Sequence, residues 1–202
     1  MAGLRVGVLG GSFNPAHEGH LHISKLALQR LELDQVWWMV SPQNPLKPTD
    51  DMAPFEERMA SAQRLAGTDP RIIATDIEVR LNTRYTTDTL QTLTATFPRA
   101  HFVWLMGADN LEQIARWERW TCIFRTVPIA VFDRATYSYR ALASKAAHRF
   151  RRYRVSARRA PGVVGKRPPA WVYFHTPLHP ASSTALRARE KALAGGGRRM
   201  LG

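Results

Sequence analysis

The chain has 202 residues, 45% of them hydrophobic, with 29 Lys or Arg against 16 Asp or Glu and a formal charge of +13. That is enough apolar surface for one domain with a substantial core, which sets aside a disordered chain. No run of about 18 apolar residues marks a membrane span, the first residues lead into a strand pattern rather than a signal peptide, and the lone Cys122 excludes an internal disulfide and fits a reducing cytoplasm.

In chain order, apolar runs alternate with helical periodicity. Residues 4–9 predict a first strand, 20–31 a helix, 35–40 a second buried strand and 41–54 a proline-rich loop. A helix is expected over 55–66, closed by Gly67-Thr68-Asp69-Pro70, then a strand over 71–77 and a helix over 86–96 that stops before Pro98. A strand over 101–106, a short helix over 110–116, a strand over 127–132 and a helix over 139–150 follow. A last strand over 171–175 precedes a helix over 183–193, ended by Gly195-Gly196-Gly197. Strands separated by helices predict an α/β, Rossmann-like, doubly wound and mostly parallel sheet with helices on both faces. A single domain would span residues 1–194, with a flexible Gly-rich tail over 195–202. Ligands of such sheets sit beyond the carboxyl ends of the strands, where strand order reverses.

The positive charge is concentrated. Residues 145–167 hold nine Lys or Arg and no Asp or Glu. Such a stretch can grip nucleic acid, or it can be a solvated face or mobile loop on a protein of small anionic ligands. Without regular aromatic stacking positions or a nucleic-acid module, the second reading is favoured, and nucleic acid is not an expected partner. Cys122, beside Trp120, Ile123 and Phe124, reads as a buried thiol rather than a nucleophile.

The most informative window is Gly10-Gly11-Ser12-Phe13-Asn14-Pro15-Ala16-His17-Glu18-Gly19-His20. It joins the first strand to the first helix, the place where backbone N–H groups meet phosphate. A glycine pair or a histidine alone would be an ordinary turn. Phe13, Pro15, His17, Gly19 and His20 together in this context point to a phosphate site. The G-x-G-x-x-G pattern is absent. Four further segments fall at strand ends or helix starts. Asn44-Pro45-Leu46-Lys47 offers a cation, though Lys47 alone reads as a surface lysine. Arg84-Tyr85-Thr86 opens a helix whose hydroxyls and N–H groups can hold a carboxylate or amide, or simply cap it. Gly107-Ala108-Asp109 ends a strand, where Asp109 can cap a helix or bond a ribose, and Trp117 is either core or a flat face for a heteroaromatic ring. Ser182-Ser183-Thr184 with Arg187 one turn later is a second helix mouth, able to bind an anion or merely capped.

Gly11, Phe13, Pro15, His17, Gly19 and His20, with Ser182-Ser183-Thr184-x-x-Arg187 near the C-terminus, resemble the two signatures of the H-x-G-H nucleotidyltransferases. Pro42-x-Asn44-Pro45 with Lys47, Tyr85-Thr86-x-x-Thr89-Leu90, and Gly107-x-Asp109 with Trp117 resemble the nicotinate-nucleotide adenylyltransferase branch. The resemblance runs over residues 4–193. Three positions depart from it: Asn14 where Asp is common, Ala181 where Ile is common, and Arg84 where a small residue is frequent. The Arg-rich stretch over 149–167 matches no part of that family's site.

The resemblance implies transfer of an adenylyl group from ATP to nicotinate mononucleotide, giving deamido-NAD and pyrophosphate in NAD biosynthesis. It implies catalytic roles for His17, His20, Lys47 and Arg187. ATP would be bound by Gly10, Gly11, Ser12, Phe13, His17, Gly19, His20, Gly107, Asp109, Ser182, Ser183, Thr184 and Arg187. The mononucleotide would be bound by Asn44, Lys47, Arg84, Tyr85, Thr86 and Trp117. Mg²⁺ would be carried by ATP phosphates and water, with no protein ligand set. Nicotinamide mononucleotide or another phosphate is the alternative acceptor, and a nucleotide- or RNA-binding module the alternative without turnover. A cytoplasmic enzyme with small-molecule substrates is expected, and a homo-oligomer is compatible.

Overall fold

The computed structural model describes residues 3–42, 52–133, 138–176 and 187. Within them lies one seven-stranded sheet, made of β1 (Arg5–Gly11), β2 (Gln35–Val40), β3 (Ile72–Thr75), β4 (His101–Gly107), β5 (Ile129–Phe132), β6 (Arg154–Val155) and β7 (Trp171–Phe174). Every pairing is parallel, in the order β3-β2-β1-β4-β5-β7-β6. The order reverses between β1 and β4, which sets the crevice expected of a doubly wound sheet.

Both faces are covered, as parallel strands require. On one, Val6, Val8, Phe102, Trp104, Met106, Ile129 and Val131 pack under α4 (Thr86–Thr96), α5 (Ala108–Gln113) and α6 (Trp120–Thr126). On the other, Leu9, Val36, Trp38, Val103 and Leu105 pack under α1 (Glu18–Arg30) and α2 (Phe55–Ala66). Among the described residues no helix is long and apolar enough to cross a membrane.

Several boundaries differ from those expected. β1 runs through Gly10 and Gly11, which pair with Met39 and Val40 rather than forming the turn. A Cβ on Gly10 would lie 2.4 Å from the buried Trp104 indole, so packing demands this glycine. β3 stops at Thr75 because the chain winds into α3 (Ile77–Arg80), whose Arg80 pairs with Asp76 one turn earlier at 2.6 Å. The helix expected over 139–150 is two, α7 (Ser138–Leu142) and α8 (Lys145–Arg149), because Ser144 caps the second through Ala147 N–H. α6 was hidden by its aromatic and β-branched residues. The basic stretch, expected as a loop or solvated face, contains α8, strand β6 and a 3₁₀ turn over Ala157–Val163. Ala160, Val163 and Val164 are buried against the second core layer. Cys122 is half-buried on α6. The tail over 195–202 and, apart from Arg187, the helix over 183–193 lie outside the described residues.

Candidate active site

The chain leaves β1 through a turn that the glycines do not make. Phe13 takes the left-handed conformation, φ 45°, which is strained for a residue with a Cβ and is held because its ring is buried. That ring stacks on Trp38 at 5.2 Å and lies 4.6 Å from His20.

α1 then opens on a reciprocal cap built from two histidines. His17 Nδ1 accepts the Gly19 N–H at 3.1 Å, and His20 Nδ1 accepts the His17 N–H at 3.2 Å. In a capping box these places are usually taken by Ser or Thr and by Glu or Gln. Because each Nδ1 is an acceptor, each neutral ring carries its proton on Nε2, a tautomer assigned from the hydrogen bonds. The rings lie 3.9 Å apart between centroids. The backbone thus fixes two adjacent N–H donors at a helix mouth, whose positive end favours an anion. The Ser24 hydroxyl donates to the His20 carbonyl at 2.8 Å and accepts from the Trp38 indole at 2.7 Å, tying the first turn of α1 to β2.

Arg187 reaches the same place. Its guanidinium donates to the Asn14 carbonyl at 2.6 Å, so the C-terminal signature and the histidine loop meet. The Asn14 amide oxygen in turn accepts the Ala53 N–H at 3.2 Å, a structural use of the position where Asp is common.

The sequence reading missed the residue that closes this mouth. Arg58, 2% exposed, donates to the carbonyls of Ala53, Ser12, Ser41 and Pro42 at 2.6–2.9 Å. One guanidinium therefore clamps the loop after β1 to the loop after β2. Burial lowers its pKa, partly opposed by Glu56. The available signal was an arginine in register with Ala62 and Ala66 on the buried face of α2.

Across the switch point, Gly107 ends β4 and Asp109 stands in the first turn of α5. α4 begins at Thr86, with Tyr85 as an N-cap that makes no side-chain cap bond. The exposed Arg84 guanidinium lies 5.7 Å from the Tyr85 ring centroid. Trp117 follows a 3₁₀ turn over Ile114–Arg116 and meets the Trp104 ring edge-on at 6.5 Å. Two contacts bring the start of α4 to the Trp117 loop. The Thr87 hydroxyl donates to the Glu118 carbonyl at 3.1 Å, and Asp88 pairs with Arg119.

Beneath α4 sits a second residue missed from sequence. The Glu78 carboxylate, 7% exposed, accepts from the Thr89 hydroxyl at 3.4 Å and from Ser41. Desolvation pushes its carboxyl up to about 7, against those two hydrogen bonds. A four-residue helix carries no periodicity that could have revealed it.

The structure thus gathers Gly10, Gly11, Ser12, Phe13, His17, Gly19, His20 and Arg187 at one mouth, with Gly107 and Asp109 at the end of the neighbouring strand. Arg84, Tyr85, Thr86 and Trp117 border the adjacent wall. Asn44, Lys47, Ser182, Ser183 and Thr184 lie outside the described residues. Among the described residues no group of His, Cys, Asp and Glu could hold a metal ion.

Residues 8–189 match the cytidylyltransferase-like family model. A protein of Parvibaculum lavamentivorans named "Probable nicotinate-nucleotide adenylyltransferase" is 52% identical over 93% of this chain and 92% of its own. One of the same name from Cereibacter sphaeroides is 52% identical over 91% of this chain and 96% of its own. The Plasmodium falciparum nicotinic acid mononucleotide adenylyltransferase, solved with NaAD, shares the fold with a TM-score of 0.69 at 15% identity. It is matched over 92% of this chain and 83% of that one. Identity of about one half across nearly the whole length makes this chain a member of the nicotinate-nucleotide adenylyltransferase family.

Proposed function

We propose that the chain transfers the adenylyl group of ATP to nicotinate mononucleotide, releasing pyrophosphate and forming deamido-NAD. The observation that carries this reading is the reciprocal His17–His20 cap, which engages Nδ1 of each ring and so leaves the N–H on Nε2, at a helix mouth that Arg187 also reaches. A phosphate oxygen of the mononucleotide attacks the α-phosphorus of ATP, and the bond from that phosphorus to the bridging oxygen of pyrophosphate breaks. The nucleophile is already an anion, so no strong general base is needed. The barrier lies in bringing anions together and in charge growing on the leaving group. His20 donates to the α-phosphate as that charge develops, and His17 orients the triphosphate. Arg187 neutralises the leaving phosphates, joined by Lys47 and the Ser182-Ser183-Thr184 donors.

Imidazole, guanidinium and backbone N–H are donors suited to phosphate oxygens rather than to a hard cation. Mg²⁺ would therefore be held by the triphosphate and water, and when bound would supply further charge neutralisation. The Tyr85-Thr86 helix mouth and Arg84 suit a carboxylate on the acceptor ring, and Trp117 offers it a stacking face.

The test is pyrophosphate release from ATP with nicotinate mononucleotide and with nicotinamide mononucleotide, with and without Mg²⁺. A higher kcat/KM for the acid is expected. His20→Ala should lower kcat by about 10²-fold or more, the scale of losing one transition-state donor. A folded His20→Ala protein with near-normal turnover, or equal use of both acceptors, would overturn the respective assignment.

A further inference from the structure

The catalytic reading leaves the basic segment over 145–167 without a role. Its fold lines one groove with much of that charge. Arg152, Arg154, Arg158, Arg159, Lys166 and Arg167 line an open groove of about 820 Å³ with Tyr153, Pro169 and Ala170. The groove lies at the amino end of β7, since Pro169 and Ala170 precede that strand and β6 pairs with its first two residues. The phosphate mouth lies beyond the carboxyl ends of β1 and β4, and the strands are all parallel, so the two occupy opposite ends of the sheet.

The walls of the groove are fixed. On one side the Arg154 guanidinium lies over the rings of Trp171 and Tyr173, at 5.4 and 5.7 Å from their centroids. The Trp171 indole N–H is locked on the Phe150 carbonyl at 2.8 Å. On the other, buried Ala160, Val163 and Val164 anchor the turn that presents Arg158 and Arg159. Four surface arginines outside the segment do meet a carboxylate, Arg71 with Asp69, Arg80 with Asp76, Arg119 with Asp88 and Arg140 with Glu112, which shows the pairing available where acidic residues are near. In the groove no carboxylate among the described residues pairs with the six cations. Like charges lining one groove repel one another, and a multivalent anion relieves that repulsion.

We propose that this groove is a second anion site, separate from the catalytic mouth, for a ligand carrying two or more consecutive phosphates. Its test is calorimetric titration of the full chain with inorganic tripolyphosphate and with ATP, comparing the wild type with the triple variant R158S/R159S/K166S. These side chains are exposed, so the fold should be retained, and the single variant R158S gives a graded loss should the triple not fold. The wild type should show a binding class that the triple variant weakens at least tenfold, while kcat/KM for ATP stays within twofold. If that class is tighter for ATP than for tripolyphosphate and Tyr153→Ala removes the difference, the ligand is a nucleotide. Equal affinity makes it an inorganic phosphate chain. Unchanged isotherms in the variant would overturn the proposal. So would a parallel fall in kcat/KM, which would merge the groove with the active site. So too would loss of binding confined to a 20-nucleotide single-stranded RNA, which would make the segment a nucleic-acid surface.

Discussion

The phosphate mouth after β1 and the acceptor wall around α4 are held by different kinds of bond. At the mouth, side chains bond to main chain: both histidines to N–H groups, and Arg58 and Arg187 to carbonyls. At the wall the bonds are mixed: Asp88 with Arg119, Thr83 with Thr89 and Thr89 with Glu78 join side chains, while the Thr87 hydroxyl donates to the Glu118 carbonyl and the Thr89 hydroxyl to the Tyr85 carbonyl. Main-chain partners persist when neighbouring residues are substituted. Side-chain partners change with a single substitution. On the proposed reading, the phosphates would meet side chains fixed by main chain, and the acceptor base a surface fixed in part by side-chain pairs.

Three substitutions would break or sharpen that contrast. Arg58→Ala should have the largest effect. It strands four carbonyls, that of Ser12 buried and the others part-buried, and releases two loops from each other, at a cost of about 4 kcal/mol. For a chain of this size that lowers Tm by roughly 8–16 °C, and kcat/KM should fall for both substrates together. A melt within 2 °C of wild type, an approximate threshold from the same scaling, would show that the loops are held by something else.

Glu78→Gln comes next and has the opposite sign. The folded carboxyl titrates near 7 and the unfolded one near 4.5. Between those values the folded chain keeps a proton that the unfolded chain has lost, so stability falls as pH rises through this window and the cost is complete above it. Gln removes that cost, so thermal melts should show a gain of about 3 kcal/mol at pH 8 and almost none at pH 4. An equal gain at both values would place the effect in packing rather than in charge.

Asp88→Ala should be smallest in stability, below about 1 kcal/mol for a partly exposed pair. Its effect should be selective. Freed from Arg119, the start of α4 and the Trp117 loop can part, raising KM for the mononucleotide several-fold while leaving that for ATP unchanged. Steady-state kinetics with each substrate varied in turn would show it, and an equal rise in both constants would dissolve the distinction between mouth and wall.

What the sequence revealed followed the same division. The parallel sheet, the helix mouth after β1 and its two histidines were legible because strand periodicity and a close spacing of rare residues are local signals. The approach of Arg187 to Asn14 became legible through family resemblance, not through spacing, since 173 residues separate them. Arg58 and Glu78 were not read, because their roles come from burial and from partners that only the fold supplies. The basic segment was read by composition as a loop or solvated face. Its few apolar residues, Ala160, Val163 and Val164, decide its path against the sheet, and composition averages them away.

The contact between Gly10 and Trp104 carries one more implication. The indole fills the space a side chain at residue 10 would need and also meets Trp117 edge-on. Residues 10 and 104 therefore exchange volume: a smaller ring at 104 would admit a methyl at 10, while Gly10→Ala alone would displace the indole from its present seat. A change of ring size at residue 104 would alter, by the same step, which residues the first strand can tolerate at position 10.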